Sequence, residues 1–411
     1  GHMPFSFAKL VAQKDEIVKE YRAQKYEQLV EDEPHMQLVP GKATLISDHE
    51  VEVQQEEGTR LLEGKHILIA TGSSPSLPTI PGLADIPYLT SDLLSSADDP
   101  WGTELRQEPR SLLIVGGGYI ALELGQMFAR FGTQVTLVTR GMSILTGYEP
   151  EVIEALTDVL AEEGLKIVTH AHIRTVRREV DGVAMVVQRY GRNQAYTAER
   201  LLVASGRHPN TQDIGLEKVG VAVDTAGAVR VNSYLRTNKE HIWAAGDVIG
   251  RETESQMATP VGAHDGKIAA HNALSGEPLQ PVDHTVIPRT IFTDPQLAVV
   301  GLTDEEANAS GIVCRCNTIP LSAVPRAGAI RDTRGVIKMV IDQESHRVVG
   351  ASMLGLNAGE VIHEAAMALR FGATIDDFID MIHVYPTMAE ALKIVAISFV
   401  KDYTKLSCCA S

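Results

Sequence analysis

The sequence predicts an α/β protein with a Rossmann-like nucleotide-binding unit near the middle of the chain and an α+β region at its end. An apolar strand, a glycine turn, a helix and a second strand follow one another in SLLIVGGGYIALELGQMFARFGTQVTLVTR, residues 111–140, which is the pattern of a βαβ unit. Two more buried-strand patterns, HILIATG and HIWAAGDV, lie on either side of that unit. From about Val282 onward, a run of strand patterns is followed by helix patterns, as in an α+β region.

The composition is that of an ordinary globular protein, and 411 residues are enough for roughly two to four domains. The net charge of −16, from 37 basic and 53 acidic residues, argues against a nucleic-acid-binding surface. We find no apolar run long enough to span a membrane and no secretion signal, and the opening GHM resembles an expression scar. Four cysteines are too few for a disulfide framework, so we expect a cytoplasmic protein.

The elements before the βαβ unit are a helix and several short strands. Apolar residues recur at helical spacing among many charges between Phe5 and Leu29, which predicts a long helix that is largely exposed to solvent. The runs HMQLVPGKATLIS, EVEVQQ and HILIATGSSP then predict strands.

The elements after the βαβ unit begin with a predicted helix from Pro150 to Gly164, followed by strands up to RLLVASGRHPN. In the last part of the chain, RTIFTD, GVIKMVID and RVVGASMLG predict strands, and helices are predicted from Ala358 onward. Cys314 and Cys316 form C-x-C in GIVCRCNTI, which we interpret as a strand with incidental cysteines because no second cysteine cluster lies nearby.

The glycine turn of the βαβ unit has the form G-x-G-x-x-A, made by Gly116, Gly118 and Ala121. Gly116 permits the tight turn, Gly118 lets the backbone approach a pyrophosphate at the helix N-terminus, and Ala121 allows the helix to pack closely on the strand. The motif is weak by itself, but the preceding strand, the helix and the second strand strengthen it. The alternative is a purely structural glycine turn.

The residue after the second strand indicates which nucleotide is bound. Enzymes that use NAD usually carry an acidic residue there, which bonds the ribose 2′-hydroxyl. Here the position holds Arg140, and a guanidinium pairs well with a 2′-phosphate. We therefore predict NADPH rather than NADH, although a solvated charge at the strand end would give the same residue.

The chain ends in KLSCCAS, with Cys408 and Cys409 side by side. Their Cα atoms are about 3.8 Å apart, closer than the usual disulfide range of roughly 4.4–6.8 Å. The pair is therefore a poor disulfide but a good soft ligand pair for a metal ion. The alternative is an incidental tail.

HILIATGSSPSLPTIPG, HIWAAGDV and ASGRHPNT resemble the fingerprints of the flavoprotein pyridine nucleotide-disulfide oxidoreductases. The resemblance implies a two-dinucleotide-binding-domain flavoprotein fold of the Rossmann type, with a C-terminal α+β dimerisation domain. It implies FAD as a cofactor beside NADPH, with Asp247 bonding the ribityl chain of the flavin. The other residues that it places at the FAD site are Thr71, Gly72 and Gly246, and it makes Gly206, in the connecting segment ASGRHPNT, a further cofactor-binding residue.

The resemblance also implies four segments along the chain. They are an incomplete FAD-binding domain at 1–107, an NADPH-binding domain at 108–231, a continuation of the FAD-binding domain at 232–281, and a dimerisation domain with the Cys-Cys tail at 282–411. We accordingly expect a homodimer.

Within the family, the sequence is most similar to the mercuric reductases. HVYPTMAEALK has Tyr385 where most relatives carry a catalytic histidine, and KLSCCAS resembles the mercuric reductase ending, in which the cysteine pair receives Hg(II) as a thiolate complex. By the same resemblance, Tyr119 would gate the nicotinamide entrance and Glu390 would orient groups beside Tyr385. Glu123 matches an acid that pairs with a lysine near the flavin. His383 is expected to be a packed or surface histidine.

The chain also departs from the family pattern. Members begin with a first G-x-G-x-x-G unit for FAD, followed by a C-x-x-x-x-C redox pair, and the printed sequence contains neither. We therefore expect neither tight flavin binding nor full turnover by this chain, and Glu123 is expected to lack its lysine partner. Two alternatives stay open: another disulfide reductase of the dihydrolipoamide type, and a catalytically inactive dimer that binds NADPH or metal.

Overall fold

The structure is a computed structural model that describes residues 6–92, 105, 107–250, 257–275 and 278–405. The chain divides into two compact units that alternate along the sequence. The first unit comprises Gly1–Ser76, Asp92–Gln107 and Gly206–His284, and the second comprises Leu77–Ser91, Glu108–Ser205 and Thr285–Ser411. The four predicted domain boundaries stay a prediction.

The elements up to the end of the βαβ unit, in chain order, are α1 (Phe7–Arg22), α2 (Gln28–Glu31), β1 (Lys42–Leu45), β2 (Glu50–Gln55), β3 (Gly58–Glu63), β4 (Ile67–Ile69), β5 (Ser73–Pro75), β6 (Ser111–Val115), α3 (Tyr119–Arg130) and β7 (Gln134–Val138). A π-helical turn joins α1 to α2.

The middle of the chain then forms α4 (Pro150–Glu162), β8 (Lys166–Val168), β9 (His172–Glu179), β10 (Gly182–Arg189), β11 (Arg192–Ala198), β12 (Arg200–Val203), β13 (Arg207–Pro209), α5 (Leu216–Val219), β14 (Ile242–Ala244) and α6 (Thr259–Ser275). The last elements are β15 (Arg289–Ile291), β16 (Gln296–Gly301), α7 (Asp304–Ala309), β17 (Cys314–Pro320), α8 (Pro325–Ile330), β18 (Val336–Asp342), β19 (Val348–Gly355), α9 (Ala358–Phe371), α10 (Ile375–Asp380) and α11 (Glu390–Ile397).

The first unit contains an antiparallel sheet of order β1-β2-β3, the parallel pair β14-β4 and the antiparallel pair β13-β5. Its core packs β4, β14 and α6 together with the loops that follow α5. Leu235, Ile242 and Val248 are completely buried in this core. The core therefore holds the carboxyl ends of β4 and β14 in place, and these are the ends where α/β folds bind ligands.

The nucleotide-binding part of the second unit is a parallel sheet of order β12-β6-β7-β8. Four of the five residues of β6 are buried, as expected for a central strand covered on both faces. Helix α3 buries Ala121, Leu122 and Phe128. A separate antiparallel sheet of order β11-β10-β9 packs its apolar residues into the same core as the ends of β6 and β7.

The C-terminal part of the second unit is an antiparallel five-stranded sheet of order β15-β16-β19-β18-β17. Helices α9 and α11 pack on it and share one hydrophobic core with the buried residues of β16, β18 and β19. Strand β17, which begins at Cys314, therefore lies at an edge of this sheet.

Most of the predicted elements are present. The N-terminal helix is confirmed and is mostly exposed, and the helix at Pro150 ends at Glu162, close to the predicted Gly164. In HMQLVPGKATLIS only Lys42–Leu45 forms a strand. Strand β3 is an addition to the prediction. No described helix is long and apolar enough to cross a bilayer.

Candidate functional site

The glycine turn lies at the carboxyl end of β6, where the chain passes into α3. Gly116 has a φ of +135°, and a Cβ at this residue would lie 2.1 Å from the carbonyl oxygen of Ala204 at the end of β12. Only glycine avoids this clash, and the turn is also held by a hydrogen bond from the Gly116 amide to the Val138 carbonyl. The close approach of two strand ends therefore explains the first glycine of the motif.

Gly118 is the N-cap residue of α3, and its environment is different. Its φ of −85° is open to any residue, and no described atom lies within 4 Å of a Cβ built on it. Within the described part of the chain, no side chain caps this helix. The open space in front of an uncapped helix N-terminus fits an anionic phosphate group, whose charge the helix dipole would stabilise.

Arg140 follows β7, two residues beyond its end, and its side chain is exposed. The preceding residue, Thr139, contacts the glycine turn, because a Cβ at Gly117 would lie 2.7 Å from the Thr139 hydroxyl oxygen. Gly116, Gly117 and Arg140 are thus gathered at one edge of the parallel sheet. Ala121 is fully buried beneath that edge, as close packing of α3 on β6 requires.

A second edge, in the first unit, gathers the residues that the sequence assigns to FAD. Strands β4 and β14 run parallel, with Ile69 opposite Ala244, so the segments that follow them emerge side by side. The Ser73 hydroxyl donates a hydrogen bond of 2.6 Å to Asp247 Oδ2. Arg207 in turn donates to the Ser73 hydroxyl at 2.8 Å and to the Ser73 carbonyl at 2.7 Å.

Three glycines at this second edge have left-handed backbone conformations, and two of them face open space. Gly72 has a φ of +72° and Gly206 a φ of +119°, and no described atom lies within 4 Å of a Cβ built on either residue. Gly246 has a φ of +76° and lies against Gly262 in the first turn of α6, where a Cβ at Gly262 would be 3.2 Å from the Gly246 Cα atom. Glycines at both contacts bring the start of α6 close to the residue before Asp247.

Thr71 bonds to Asn210 and so connects two segments of this edge. Its hydroxyl donates to the Asn210 carbonyl at 2.7 Å, and the Asn210 side-chain amide donates to the Thr71 carbonyl at 3.0 Å. This reciprocal pair joins the ATG segment to the ASGRHPNT segment, which the sequence alone did not connect.

Both edges fit the nucleotides that the sequence predicts. The edge at β6 and β7 offers an open helix N-terminus and a nearby guanidinium, which suit the phosphates of NADPH. The edge at β4 and β14 offers a carboxylate and two glycines with open space above them, Gly72 and Gly206, which suits a hydroxyl-bearing chain such as the ribityl group of FAD. The assignments of individual residues to the cofactors stay predictions.

Glu123 lies on α3 and was expected to lack a partner. Instead, one of its carboxylate oxygens accepts a hydrogen bond of 2.8 Å from the backbone amide of Phe292. Burial raises the pKa of this carboxyl, and the bond from Phe292 offsets part of that effect. A backbone donor thus takes the place that the sequence analysis left open.

The loop before α11 carries the remaining predicted residues of the dimerisation domain. Tyr385 is 47% exposed, and Glu390, the first residue of α11, accepts a hydrogen bond of 3.1 Å from the Thr387 amide. His383 is packed rather than free: its Nε2 lies 2.9 Å from Glu364 on α9. Tyr119, at the start of α3, is partly buried. Cys408 and Cys409 lie outside the described residues.

Sequence reasoning missed Ser73 and Arg207 as members of the Asp247 cluster. The two segments that carry them are more than a hundred residues apart, and their pairing in β5 and β13 is a tertiary event. The available signal was the arginine itself, because a lone charged residue among small residues at a strand end often has a fixed partner.

Comparison with known proteins gives a consistent picture. The profile of the family described as "Pyridine nucleotide-disulphide oxidoreductase" matches residues 3–266, and the profile of the "Pyridine nucleotide-disulphide oxidoreductase, dimerisation domain" matches residues 287–396. A Staphylococcus aureus protein named mercuric reductase is 40% identical over 98% of this chain and 70% of its own length. Mercuric reductases of Bacillus cereus and Streptomyces lividans are 39% and 40% identical, with 61% and 82% of their lengths covered.

Solved structures agree in architecture. The HOCl-induced flavoprotein disulfide reductase RclA from Escherichia coli superposes with a TM-score of 0.85 at 31% identity, over 97% of this chain and 87% of that one. LpdA from Mycobacterium tuberculosis gives a TM-score of 0.84 at 25% identity, over 98% of this chain and 85% of that one.

Proposed function

Because the chain belongs to the pyridine nucleotide-disulphide oxidoreductase family, we propose that it is the core of a mercuric reductase, which uses NADPH to reduce Hg(II) to Hg(0). The membership confirms the predicted fold class, a two-dinucleotide-binding-domain flavoprotein fold with a dimerisation domain. It also makes the protein a flavin-dependent oxidoreductase. The choice of NADPH and of mercury as substrate is the proposal.

The observation that carries this proposal is the similarity, over nearly the whole of this chain, to proteins named mercuric reductase. Relatives from Staphylococcus aureus and Streptomyces lividans each align over 98% of this chain at 40% identity. The C-terminal Cys408–Cys409 pair agrees with that chemistry, because Hg(II) is a soft ion that prefers thiolate ligands.

The proposed roles of the residues follow the path of the metal. Cys408 and Cys409 exchange with the thiols that carry Hg(II) in solution and take it as a bis-thiolate complex. Tyr385, exposed on its loop, lines the path of the metal from the tail. Glu390 holds that loop through the Thr387 amide, which fixes the position of the Tyr385 segment relative to α11.

The nucleotides are held at the two strand edges. Gly116 and Gly118 admit the phosphates of NADPH to the start of α3, Arg140 pairs with the 2′-phosphate, and Tyr119 covers the nicotinamide entrance. Asp247 and the glycines beside it hold FAD, which when bound relays two electrons from NADPH to the metal. The overall reaction consumes one NADPH and releases NADP⁺ and a proton for each Hg(II) reduced.

The working form is proposed to be a homodimer, formed through the dimerisation domain. Five apolar side chains support this, because they lie exposed on α9 and on the loop before α11: Met367, Phe371, Ile382, Val384 and Tyr385. The bond between His383 and Glu364 joins that loop to α9, so the two exposed groups are neighbours on one surface, here called the apolar face. Exposed apolar surface of this kind marks association sites.

The test is mercury-dependent oxidation of NADPH by the purified chain, with FAD in excess and Hg(II) presented as its complex with a monothiol. We expect oxidation only when mercury is present and only in preparations that retain FAD by absorbance, and a steep loss of rate in C408A/C409A. Ser407→Ala is the matched control, because it alters the same segment and keeps both thiols. Reduction of a dihydrolipoamide-type disulfide in preference to mercury would reject the proposal and favour the alternative reductase.

A further inference from the structure

A second pair of cysteines lies in the C-terminal sheet, far in sequence from the tail. Cys314 and Cys316 are the first and third residues of β17, so their side chains project from the same face of the strand. Strand β17 forms the edge of its sheet, and Cys316 is exposed while Cys314 is partly buried. Both thiols are therefore within reach of a solute.

The two thiols converge on one residue, Asp304, at the start of α7. The Cys314 thiol donates to the Asp304 carbonyl at 3.7 Å, and the Cys316 thiol donates to Asp304 Oδ2, also at 3.7 Å. The carboxylate of Asp304 is in turn fixed by Lys338, whose ammonium lies 2.8 Å away. Both thiols are thus hydrogen-bonded to the same residue, through its carbonyl oxygen and one carboxylate oxygen.

The distances suit a single bridging ion. Residues two apart on a strand are separated by about 6.7 Å along it. An ion bound linearly at about 2.3 Å from each sulfur needs a separation near 4.6 Å. Rotation of the two side chains about χ1, which leans the sulfurs toward each other, would close that difference.

The surroundings favour an ion that needs only two ligands. Among the described residues, no group of three or more His, Cys, Asp and Glu side chains is placed to hold a metal ion. Zinc requires about four ligands in such sites, whereas Hg(II) and Ag(I) form stable linear complexes with two thiolates. The class of ligand is therefore a soft, two-coordinate cation.

We propose that Cys314 and Cys316 form a second binding site for soft two-coordinate metal ions, separate from the C-terminal cysteine pair. Binding breaks two S–H bonds, forms two metal–sulfur bonds and releases two protons, with no change of oxidation state. Asp304 loses its two thiol donors and keeps its ion pair with Lys338. The site requires neither flavin nor turnover, so it does not rest on the proposed reduction of mercury.

The chain makes a clean test possible, because C408A/C409A leaves Cys314 and Cys316 as the remaining cysteines of the sequence. This variant, reduced beforehand with a phosphine, is titrated with Hg(II) and then challenged with increasing glutathione. We expect one Hg(II) per chain. Stripping half of it should take roughly 100-fold more glutathione than stripping it from variants that also carry C314S or C316S, because the second thiol binds intramolecularly.

Several outcomes would overturn the site. Two ions per chain would mean independent thiols, and half an ion per chain would mean a bridge between molecules. Equal resistance to glutathione in the two-cysteine and one-cysteine variants would show that the two thiols do not bind one ion together. Zn(II) bound as tightly as Hg(II) would show that further ligands are present.

A second measurement needs no substitution in β17 and so avoids any folding defect there. One equivalent of Hg(II) is added to C408A/C409A, and the protein is alkylated and mapped by mass spectrometry. We expect Cys314 and Cys316 to be protected together and to the same extent. Protection of one cysteine alone, or of neither, would reject the proposal.

Discussion

Gly116 and Gly118 stand two residues apart in one turn, yet the structure constrains them for different reasons. A side chain at Gly116 would collide with the Ala204 backbone, whereas a side chain at Gly118 would point into open space. The first glycine is required by the fold, and the second is required only if a ligand must approach the helix end. Substitution can therefore separate folding from binding.

We expect Gly118→Ala to leave thermal stability nearly unchanged and to weaken NADPH binding roughly tenfold or more, a loss of about 1.4 kcal/mol. Gly116→Ala, with its left-handed φ and its clash, should destabilise the fold by roughly 1–3 kcal/mol. Calorimetric melting and titration with NADPH measure both effects. Unchanged NADPH affinity in the folded Gly118→Ala variant would contradict a phosphate site at this turn.

Arg140 offers a second test at this scale. We expect NADPH to bind more tightly than NADH, because the exposed guanidinium at the end of β7 can pair with the 2′-phosphate. Arg140→Glu should narrow or reverse that preference, while Arg140→Lys, which keeps the charge but not the fork of donors, should retain part of it. Titration calorimetry with each nucleotide gives the ratio, and equal affinities in the unmodified chain would refute the assignment.

The residues of the glycine turn could be predicted from the sequence because their spacing is local. Gly116, Gly118 and Ala121 lie on one strand, turn and helix, and each follows from backbone geometry alone. The Asp247 cluster could not be predicted in full. Its members Ser73 and Arg207 come together only when β5 pairs with β13, and no local pattern records that pairing.

At the scale of elements, a buried cation joins the nucleotide-binding part of the second unit to its C-terminal sheet. The side chain of Lys338, on β18, is 1% exposed, and its ammonium lies within 3.0 Å of Glu149, Glu151 and Asp304. Glu149, just before α4, also accepts a hydrogen bond of 2.9 Å from the Asp304 amide. One ammonium thus holds the starts of α4 and α7 against the sheet.

We expect Lys338→Met to destabilise the protein by roughly 3–5 kcal/mol, because it leaves the buried Glu149 carboxylate without its cation. The double variant K338M/E149Q should recover part of that loss, since glutamine removes the stranded charge and can still accept from the Asp304 amide. Urea unfolding of the single and double variants gives the coupling. If the two substitutions simply added, Lys338 and Glu149 would not act as a pair.

The elements themselves were predicted where the periodicity was strong, and the exceptions have physical reasons. GVIKMVID was predicted as a strand and is one, but nothing in the sequence predicted that its lysine is buried, because the three carboxylates around it come from distant segments. Strand β3, GTRLLE, was not predicted because it is largely exposed and has no alternation of apolar and polar residues. Its antiparallel backbone pairing with β2 holds it in the sheet.

At the scale of the whole molecule, the loop that carries Tyr385 is held to α9 by an ionisable pair. The hydrogen bond to Glu364 raises the pKa of His383 above its ordinary value of 6.5, although burial and Lys393 act in the opposite direction. Because the pKa of His383 is higher in the folded state, the full stabilisation by this pair is present at pH values below the unfolded-state pKa. That contribution is lost as the pH rises through the folded-state pKa.

We therefore expect Glu364→Gln to destabilise the protein by roughly 1–3 kcal/mol at pH 6, the range of a charged hydrogen bond, and to have little effect at pH 9. Urea unfolding across this range shows the difference directly. His383→Gln should give the same loss of pH dependence. A constant difference between Glu364→Gln and the unmodified chain at every pH would mean that the pair does not titrate in this window.

The loop that carries Tyr385 also provides a test of the proposed homodimer. Val384 is 77% exposed on the apolar face, and a two-fold axis through that face would bury it in both subunits at once. Val384→Asp should therefore place two unpaired carboxylates in the interface. It also removes the burial of two valine side chains, which contributes about 1.5 kcal/mol or more for each one. We expect dimerisation to weaken by roughly 100-fold or more. The matched control is Val180→Asp, because Val180 is 97% exposed at the turn between β9 and β10, in a different sheet from the one that α9 packs on. Sedimentation velocity at micromolar concentration should show a dimer for the unmodified chain and for V180D, and a monomer for V384D. If the unmodified chain is a monomer, or if V384D sediments as a dimer like the V180D control, the apolar face is not the dimer interface.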